Sequence, residues 1–577
     1  MKPQVFFPFL LAAAGLTALM LLFMNSTAPV AGWPAEAKSA SPEAVADRAA
    51  ITATAPVSLP WQAVAPGIDY VQLNLQNPVN NVYIARMDRS VLSVTLDTSI
   101  ASGYLYSGKE SVSQMAARYN QAINYWGQAP LTPTWGSRND VIVAINGSYY
   151  DVPSGNPWSG MVQSGWYAKR FDDLGGSSGF AWKLDRSAFI GECVDHPGDS
   201  DDQPDWKQLI TYTDGFSQTF QGINITRTNH TLIVFTPQYD ATTRTDKSGA
   251  EVLVELSRPL LIIPWPRMVT GTVSAIYTAT GSTPIPFDSV VLSAKGPAKL
   301  TMLEHVQVGD VVGISQEIKS YRFNCTSPMS LDWGKTYASL SGGFYFLRNG
   351  IIRHFYDDQG ATMRAPRTAI VFDTNYIYFV VVDGRDNWHS QGMTIDELAL
   401  FARDTLSATY GISQDGGGSS TMVVNGEVKN NTYCNNANCY YRFVPLVGRG
   451  SGAVARAEMD EPLAQTQTIQ SDQVDAVTAE RYVANGMMMV IVEPKQASTT
   501  FTPTQVVKTK SVVDLRLGPG SNYAAPWDIA KDTSGVIVPH ALNGVLAKGV
   551  YWWKVEFNGM QGWVLESALA PVLDGWR

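Results

Sequence analysis

The sequence predicts an α+β fold: a strand-rich main domain with a few helices, followed by a small all-β barrel. Three observations predict it. Short Val/Ile/Thr runs recur through most of the chain, among them residues 91–96, 141–145, 231–235, 369–373 and 377–382, and turn residues separate them. Helical spacing of apolar residues stands out in two segments of the main domain. The 48 glycines and 32 prolines supply the turns that many short strands need. At 577 residues the chain is long enough for two or three folded units. A net charge of -9 with no basic tract argues against nucleic acid as a partner.

Taken in order, residues 1–32 are read as a signal peptide or membrane anchor, because the run from Val5 to Phe23 is apolar and only Lys2 precedes it. A cleavage site follows Ala35-Glu36-Ala37, and either reading predicts an extracytoplasmic protein, secreted or held at the membrane by this segment. Residues 33–60, rich in Ala, Ser, Thr and Pro, bury too little surface to fold and predict a tether. The main domain is placed at 61–455. Its first helix is expected over 111–124, with Val112, Met115, Ala116, Tyr119 and Ile123 on one face. Its second is expected over 395–409, where Thr394 and Glu397 form a capping-box pattern and Gly411 is placed to stop it. Residues 456–504 are polar at first and read as a linker, with an isolated strand at 487–492. Residues 505–572 are the small barrel. Of the four cysteines, Cys434 and Cys439 can close a short loop, with Cys193 and Cys325 left for a second bridge.

The chemistry gathers where apolar strands end. Residues 411–426 read Gly-Ile-Ser-Gln-Asp-Gly-Gly-Gly-Ser-Ser-Thr-Met-Val-Val-Asn-Gly: Asp415 at the close of a strand, three glycines, three hydroxyls, then a strand and an Asn425-Gly426 hairpin turn. Comparable strand ends occur at Asn146-Gly147, at Pro366-Arg367-Thr368 and at Asp383-Gly384-Arg385. Each has an ordinary reading as a turn or a surface ion pair. No lysine follows Gly418, which excludes a P-loop, and no His-Glu-x-x-His occurs, which argues against a zinc peptidase. A serine hydrolase elbow needs a strand-to-helix turn, whereas this loop leads into a strand. Asp383, Asp386 and Asn387 are oxygen donors for a divalent metal such as calcium, without EF-hand spacing, so metal dependence stays open. His389 beside them is a candidate proton carrier or metal ligand.

The ordered set, from Asn146-Gly147 through a Gly-Gly segment at 341–350, Pro-Arg-Thr-Ala at 366–369, Val-Asp-Gly-Arg at 382–385, the capped helix and Asp-Gly-Gly-Gly-Ser-Ser-Thr-Met at 415–422, resembles the phosphodiester glycosidase family over roughly 68–450. Where the family often carries Gly-Phe-Phe this chain has Ser148-Tyr149-Tyr150, and Gln414 stands where leucine is frequent, which implies a narrower, more polar pocket. The resemblance implies an exported hydrolase of glycosyl phosphodiester bonds in a wall or surface glycan. A phosphate ester leaves as a stable anion, so charge stabilisation outweighs protonation of the leaving group. On that reading Asp415 is nucleophile or base and Asp383 its partner carboxylate. Arg367 grips the phosphate, and Asn146, Gly147, Gly416, Gly417, Gly418, Ser419, Ser420 and Arg385 bind substrate, the glycine amides acting as an anion nest.

Residues 513–523 and the Gly562-Trp563-Val564 triplet resemble a bacterial SH3-like domain, which implies a cell-wall ligand. Trp552, Trp553 and Trp563 are either barrel core or binding face. The competing class is a non-catalytic wall-binding protein that recognises phosphorylated glycans.

Overall fold

The computed structural model describes residues 58–572, apart from short stretches and the longer segments 171–177, 196–207, 257–267, 321–332 and 446–473. The predicted leader, most of the tether, the polar part of the linker, Cys193 and Cys325 lie outside the described residues. Among the described residues no helix is long and apolar enough to cross a membrane.

The fold is α+β and strand-rich, as expected. One eight-stranded antiparallel sheet runs, edge to edge, through Gln62–Ala65, Ile68–Gln76, Val79–Asp88, Tyr376–Val382, Arg367–Phe372, Tyr410–Ser413, Tyr345–Arg348 and Ile351–Ile352. Facing it is a six-stranded sheet built on Thr132–Asn146, with Met422–Val424 and Asn485–Pro494 as its neighbours. The strand Tyr376–Val382 shows why both faces are apolar. Ile377, Phe379 and Val381 enter the core between the sheets, while Tyr378, Val380 and Val382 meet the helix Ile395–Asp404 on the other side. Side chains alternate with a period of two, so a strand covered on both faces must be apolar throughout. Each such residue contributes about 1.5–3 kcal/mol through burial. The first helix is Val112–Tyr119, shorter than the expected 111–124, since Ile123 begins the strand Ile123–Gln128; it covers the outer face of the second sheet through Val112, Met115, Ala116 and Tyr119. The layers are therefore helix, sheet, sheet, helix.

Local signals explain the element ends. Thr394 accepts from the Glu397 amide while the Glu397 side chain accepts from the Thr394 amide, the expected capping box. The helix ends at Asp404, earlier than expected, and the chain turns through Ser407 at φ 56°. Gly411 does not stop it. It lies in the strand Tyr410–Ser413, where a Cβ would stand 2.4 Å from Cε2 of Phe346. Asn425 and Gly426, both with positive φ, form the hairpin turn that pairs Val424 with Glu427. Cys434 and Cys439 are bridged.

The strand at 485–494 corrects the reading of that region as a linker with an isolated strand. Met487 and Met489 lie in the inter-sheet core, and the strand pairs with Val94–Ile100 on one side and Thr132–Asn146 on the other. Its partners are hundreds of residues away in sequence, which is why local pattern could not name them.

A second eight-stranded sheet, which includes Ala250–Leu256, Val269–Tyr277 and Ser289–Ala294, has a core of its own. The carboxy-terminal strands Val506–Thr509, Ser534–Ile537, Val545–Ala547, Val550–Phe557, Met560–Leu565 and Leu569–Pro571 form a small sheet that docks on it. Trp553 fills the small sheet's own core, whereas Trp552 and Trp563 pack with Phe287 of the main domain. All three tryptophans are buried, so they are core and not an open binding face. Lys554 Nζ reaches Glu255 at 2.9 Å and Asp288 at 3.3 Å, and His540 Nε2 lies 3.0 Å from Asp288.

Candidate functional site

The loop at Asp415 crosses from one sheet to the other. The strand Tyr410–Ser413 belongs to the first sheet and Met422–Val424 to the second, so the intervening residues span the mouth between them. Asn146 ends a strand of the second sheet, while Arg367 begins and Asp383 follows strands of the first. These four strand ends meet because antiparallel pairing sets Arg367 opposite Val382 and Ala369 opposite Ser413.

Asn146 ties the loop down. Its side chain is fully buried, with Oδ1 accepting from Thr368 Oγ1 at 2.7 Å and from the Thr421 amide at 3.2 Å, and Nδ2 donating to the Asp415 carbonyl at 2.7 Å. So bound, the side chain holds the loop in place. Asn146→Ala is expected to lower stability by about 2–3 kcal/mol, because it strands buried donors and acceptors that no water reaches. A denaturant melt compared with wild type checks this. Gly147 is equally structural. A Cβ there would stand 2.2 Å from Asn485 Oδ1, its carbonyl accepts from the Asp415 amide at 2.9 Å, and its own amide donates to the Asn485 carbonyl at 2.9 Å.

Asp415 is partly exposed. Its Oδ2 accepts from Ser419 Oγ at 2.6 Å, and burial pushes its carboxyl up to about 6 against the opposing pull of Ser419, Arg481 and the Gly416 amide. Of the glycine amides, that of Gly416 supports the Asp415 carboxylate and that of Gly417 is spent on the backbone. Gly417 donates to the Pro366 carbonyl at 2.9 Å, and the Ser419 and Ser420 amides turn back to Gly416 and Gly417. These bonds shape a single 3-10 turn, Gly417–Ser419. Gly417 has φ +62°, and a Cβ there would approach Arg385 Nη2 at 3.0 Å, so the exposed Arg385 guanidinium lies directly on the loop. Arg385 also sits 5.1 Å from the Tyr433 ring centre. Ser420 is buried, and its Oγ has no partner among the described residues.

Arg367 is buried, and its Nε and Nη2 donate to the carbonyls of Met393 at 2.8 Å and Met363 at 2.6 Å. Burial lowers its pKa, which Tyr149 and Asp358 oppose and Arg385 reinforces. Tyr149 stacks on Trp158 with ring centres 6.1 Å apart. Burial raises its hydroxyl, Asp415 adds to that and Arg367 counters it.

Asp383 stands apart as a scaffold. It accepts from Tyr83 Oη at 3.0 Å, from Asn430 Nδ2 at 3.3 Å and from the Asn431 amide at 3.1 Å. Burial raises its pKa against those three donors. Asn430 in turn donates to the Ser420 carbonyl at 3.0 Å and accepts from the Met422 amide at 2.7 Å. The expected partner carboxylate thus braces the loop from below, its oxygens already taken. The calcium reading does not fit either. Asp386 accepts from the amides of Trp388 and His389 and pairs with the His389 ring at 2.7 Å, so its oxygens and those of Asp383 serve different partners. The exposed His389 is occupied with that loop. Elsewhere among the described residues, Glu255, Asp288 and His540 lie together, and the Lys554 ammonium already bridges two of them.

Two site residues escaped sequence reasoning. Asn485 and Arg481 both fall in the stretch read as linker, and no local motif marks either one. Asn485 clasps Ser148, whose amide donates to Oδ1 at 2.9 Å. Arg481 lies against Gly418 and pulls on Asp415.

Residues 269–445 match the family model described as phosphodiester glycosidase. No curated protein matches the chain. Among solved structures, that of a hypothetical protein from Synechocystis aligns with a TM-score of 0.44 at 13% identity over 75% of this chain, which spans 64% of that structure's length. The catalytic domain of zebrafish N-acetylglucosamine-1-phosphodiester alpha-N-acetylglucosaminidase, auto-inhibited by its pro-peptide, aligns with a TM-score of 0.30 at 12% identity, over 64% of this chain and 78% of that one. Arg367, Asp383, Arg385 and Asp415 all fall inside residues 269–445, the part of this chain that is phosphodiester glycosidase-like.

Proposed function

We propose that this protein is an exported hydrolase that cleaves glycosyl phosphodiester bonds, releasing a sugar from a sugar 1-phosphate ester in a wall or surface glycan. The observation that carries the reading is Asp415, a half-buried carboxylate held by Ser419 and drawn on by Arg481, at the head of a glycine loop against which Arg385 and the Arg367 side chain rest. A carboxylate beside fixed cations suits a reaction in which an anomeric carbon gains positive character and a phosphate departs. Water oxygen bonds to the anomeric carbon, either directly or by displacing Asp415 that has first bonded there, in which case the bond from Asp415 to that carbon breaks and its electron pair returns to the carboxylate. The carbon–oxygen bond to phosphate breaks, its electron pair leaves on the phosphate ester, and Asp415 takes the proton from water. The phosphate needs no proton to depart, so a site whose second carboxylate is a brace still suffices. On the same proposal the SH3-like module and the amino-terminal segment keep the enzyme at its polymer outside the cytoplasm.

Sugar release by the full chain from a panel of sugar 1-phosphodiesters, with and without chelator, tests this. Release from at least one diester is expected, and binding without release would favour the recognition protein. Turnover is also expected to rise with pH along a limb of apparent pKa about 6, where Asp415 ionises. Stability moves the other way. Asp415 and the buried Asp97, both pushed up to about 6, hold more protons in the folded than in the unfolded chain between the ordinary 3.8 and 6. Their contribution to stability therefore declines as pH rises through that window. A kcat/KM profile alongside melting at the same pH values separates the two trends, and a profile flat from pH 5 to 7 would exclude Asp415 as the ionising group.

A further inference from the structure

Arg481 is the one cation of the site that the phosphodiester glycosidase-like region does not contain, since it lies beyond residue 445. It ends the strand Val474–Arg481, and its side chain folds over the glycine loop. A Cβ on Gly418 would meet its Cδ at 3.4 Å and its Nη1 at 3.8 Å. Its guanidinium carbon stands 5.8 Å from the Tyr150 ring centre, and the Tyr150 hydroxyl donates to the Tyr482 carbonyl at 2.7 Å. The Nε of Arg481 is buried and has no acceptor among the described residues. A buried N–H of a charged group without an acceptor costs more than the usual 1–3 kcal/mol or so of an unmade hydrogen bond. Such a donor is retained where a ligand oxygen completes it.

The neighbouring glycine carries the second half of the arrangement. Arg385 rests on Gly417 as Arg481 rests on Gly418, so two guanidiniums flank consecutive residues of one turn, two and three positions after Asp415. With Arg367 behind, three guanidiniums lie on or beside the loop against two acids, Asp415 near Arg481 and Asp358 near Arg367, because Glu397 pairs with Arg364 and Asp383 is engaged with Tyr83, Asn430 and Asn431. That excess of positive charge is matched by an anionic ligand and not by a neutral sugar. Arg367 is poorly placed to be the main grip, since two of its nitrogens are spent on backbone carbonyls.

We infer that Arg481 and Arg385 together form the phosphate clamp of this site, Arg481 donating through Nε to a non-bridging phosphate oxygen above Gly417 and Gly418. The inference rests on the phosphodiester reading for the rest of the substrate, and it moves the principal phosphate contact from Arg367 to a residue contributed by the strand that follows residue 473. Arg481 is a substrate-binding residue here, and its guanidinium also holds the departing charge.

The test compares the full-length chain with Arg481→Gln and Arg481→Lys, using inorganic phosphate as an inhibitor of diester turnover. Arg481→Gln is expected to raise both KM and the inhibition constant for phosphate on the order of ten- to a hundredfold, the worth of one charge-assisted hydrogen bond. Arg481→Lys is expected to recover part of that loss, because it keeps the charge without the forked geometry. Should the glutamine variant fail to fold, the lysine variant decides alone, with a several-fold rise expected. Unchanged KM and phosphate inhibition in variants that melt like wild type would overturn the inference. If the wild type hydrolyses no diester, the proposed activity fails separately. Calorimetric titration with inorganic phosphate then decides the clamp: binding to wild type that Arg481→Gln loses sustains it, and no binding, or equal binding, overturns it.

Discussion

Asp415→Asn is expected to lower kcat about a thousandfold or more while leaving the fold in place, the loss typical of a group that acts on the reacting atoms. The amide keeps an oxygen that can accept from Ser419 Oγ, so the 2.6 Å contact that orients the side chain survives. It removes only the ionisable charge. Because burial already holds the Asp415 carboxyl up to about 6, the neutral amide also spares the folded state a charge that it stabilises poorly at neutral pH. The melting temperature should therefore be equal to or above that of wild type. Progress curves on a sugar 1-phosphodiester, read beside a thermal melt, check both halves. A variant that turns over at the wild-type rate would remove Asp415 from the chemistry, and the pH limb near 6 would then need another owner.

Lys554→Met is expected to cost about 3–5 kcal/mol, the largest stability loss of any single change considered, because it leaves two carboxylates facing each other without their buried cation. Burial alone would lower the lysine's pKa, but Asp288 and Glu255 outweigh that and raise it, so the pair is charged in the folded protein. Asp288 is held well below the usual carboxylate range: burial opposes this, but Lys554 and then His540 prevail. Methionine matches the lysine stem in length and preserves the packing, so the loss reports the charge. The contact joins the carboxy-terminal sheet to the strands Ala250–Leu256 and Ser289–Ala294 of the main domain. Limited proteolysis should accordingly release the carboxy-terminal sheet faster in the variant, and denaturant unfolding should begin earlier. Unaltered protease resistance would show that Phe287, Trp552 and Trp563 hold the interface without the ion pairs.

How much was legible in the sequence follows from how far each interaction reaches along the chain. The capping box of Thr394 and Glu397, the Asn425-Gly426 turn, and the strands at 367–372 and 376–382 depend on neighbours within a few residues, and those are printed in local pattern. The same holds for Asp415 as the residue where a strand opens into a glycine loop, since strand end, carboxylate and glycines are contiguous. Arg385 beside that loop was reached through the order of several motifs. Local reading failed where the deciding contact is remote. The Asn146-Gly147 pair looks like a turn or a binding element until Thr368, Thr421 and Asn485 close around it.

By itself, then, the sequence determined the strand-rich α+β class, the capped second helix, the core of the first and the identity of the acidic glycine loop, and it offered the Cys434–Cys439 bridge that the structure shows. Only the tertiary structure decided that residues 485–494 complete the second sheet, that Asp383 and Asn146 brace the loop, and that Arg481 reaches it from beyond residue 445. The physical reason is that hydrophobic period and turn chemistry are short-range properties of the chain, whereas the occupancy of a buried donor or acceptor is settled by whichever distant segment packs against it. A carboxylate with three donors already on its oxygens and a partly exposed one held by a single hydroxyl carry the same letter in the sequence, and burial together with hydrogen-bond partners gives them different work.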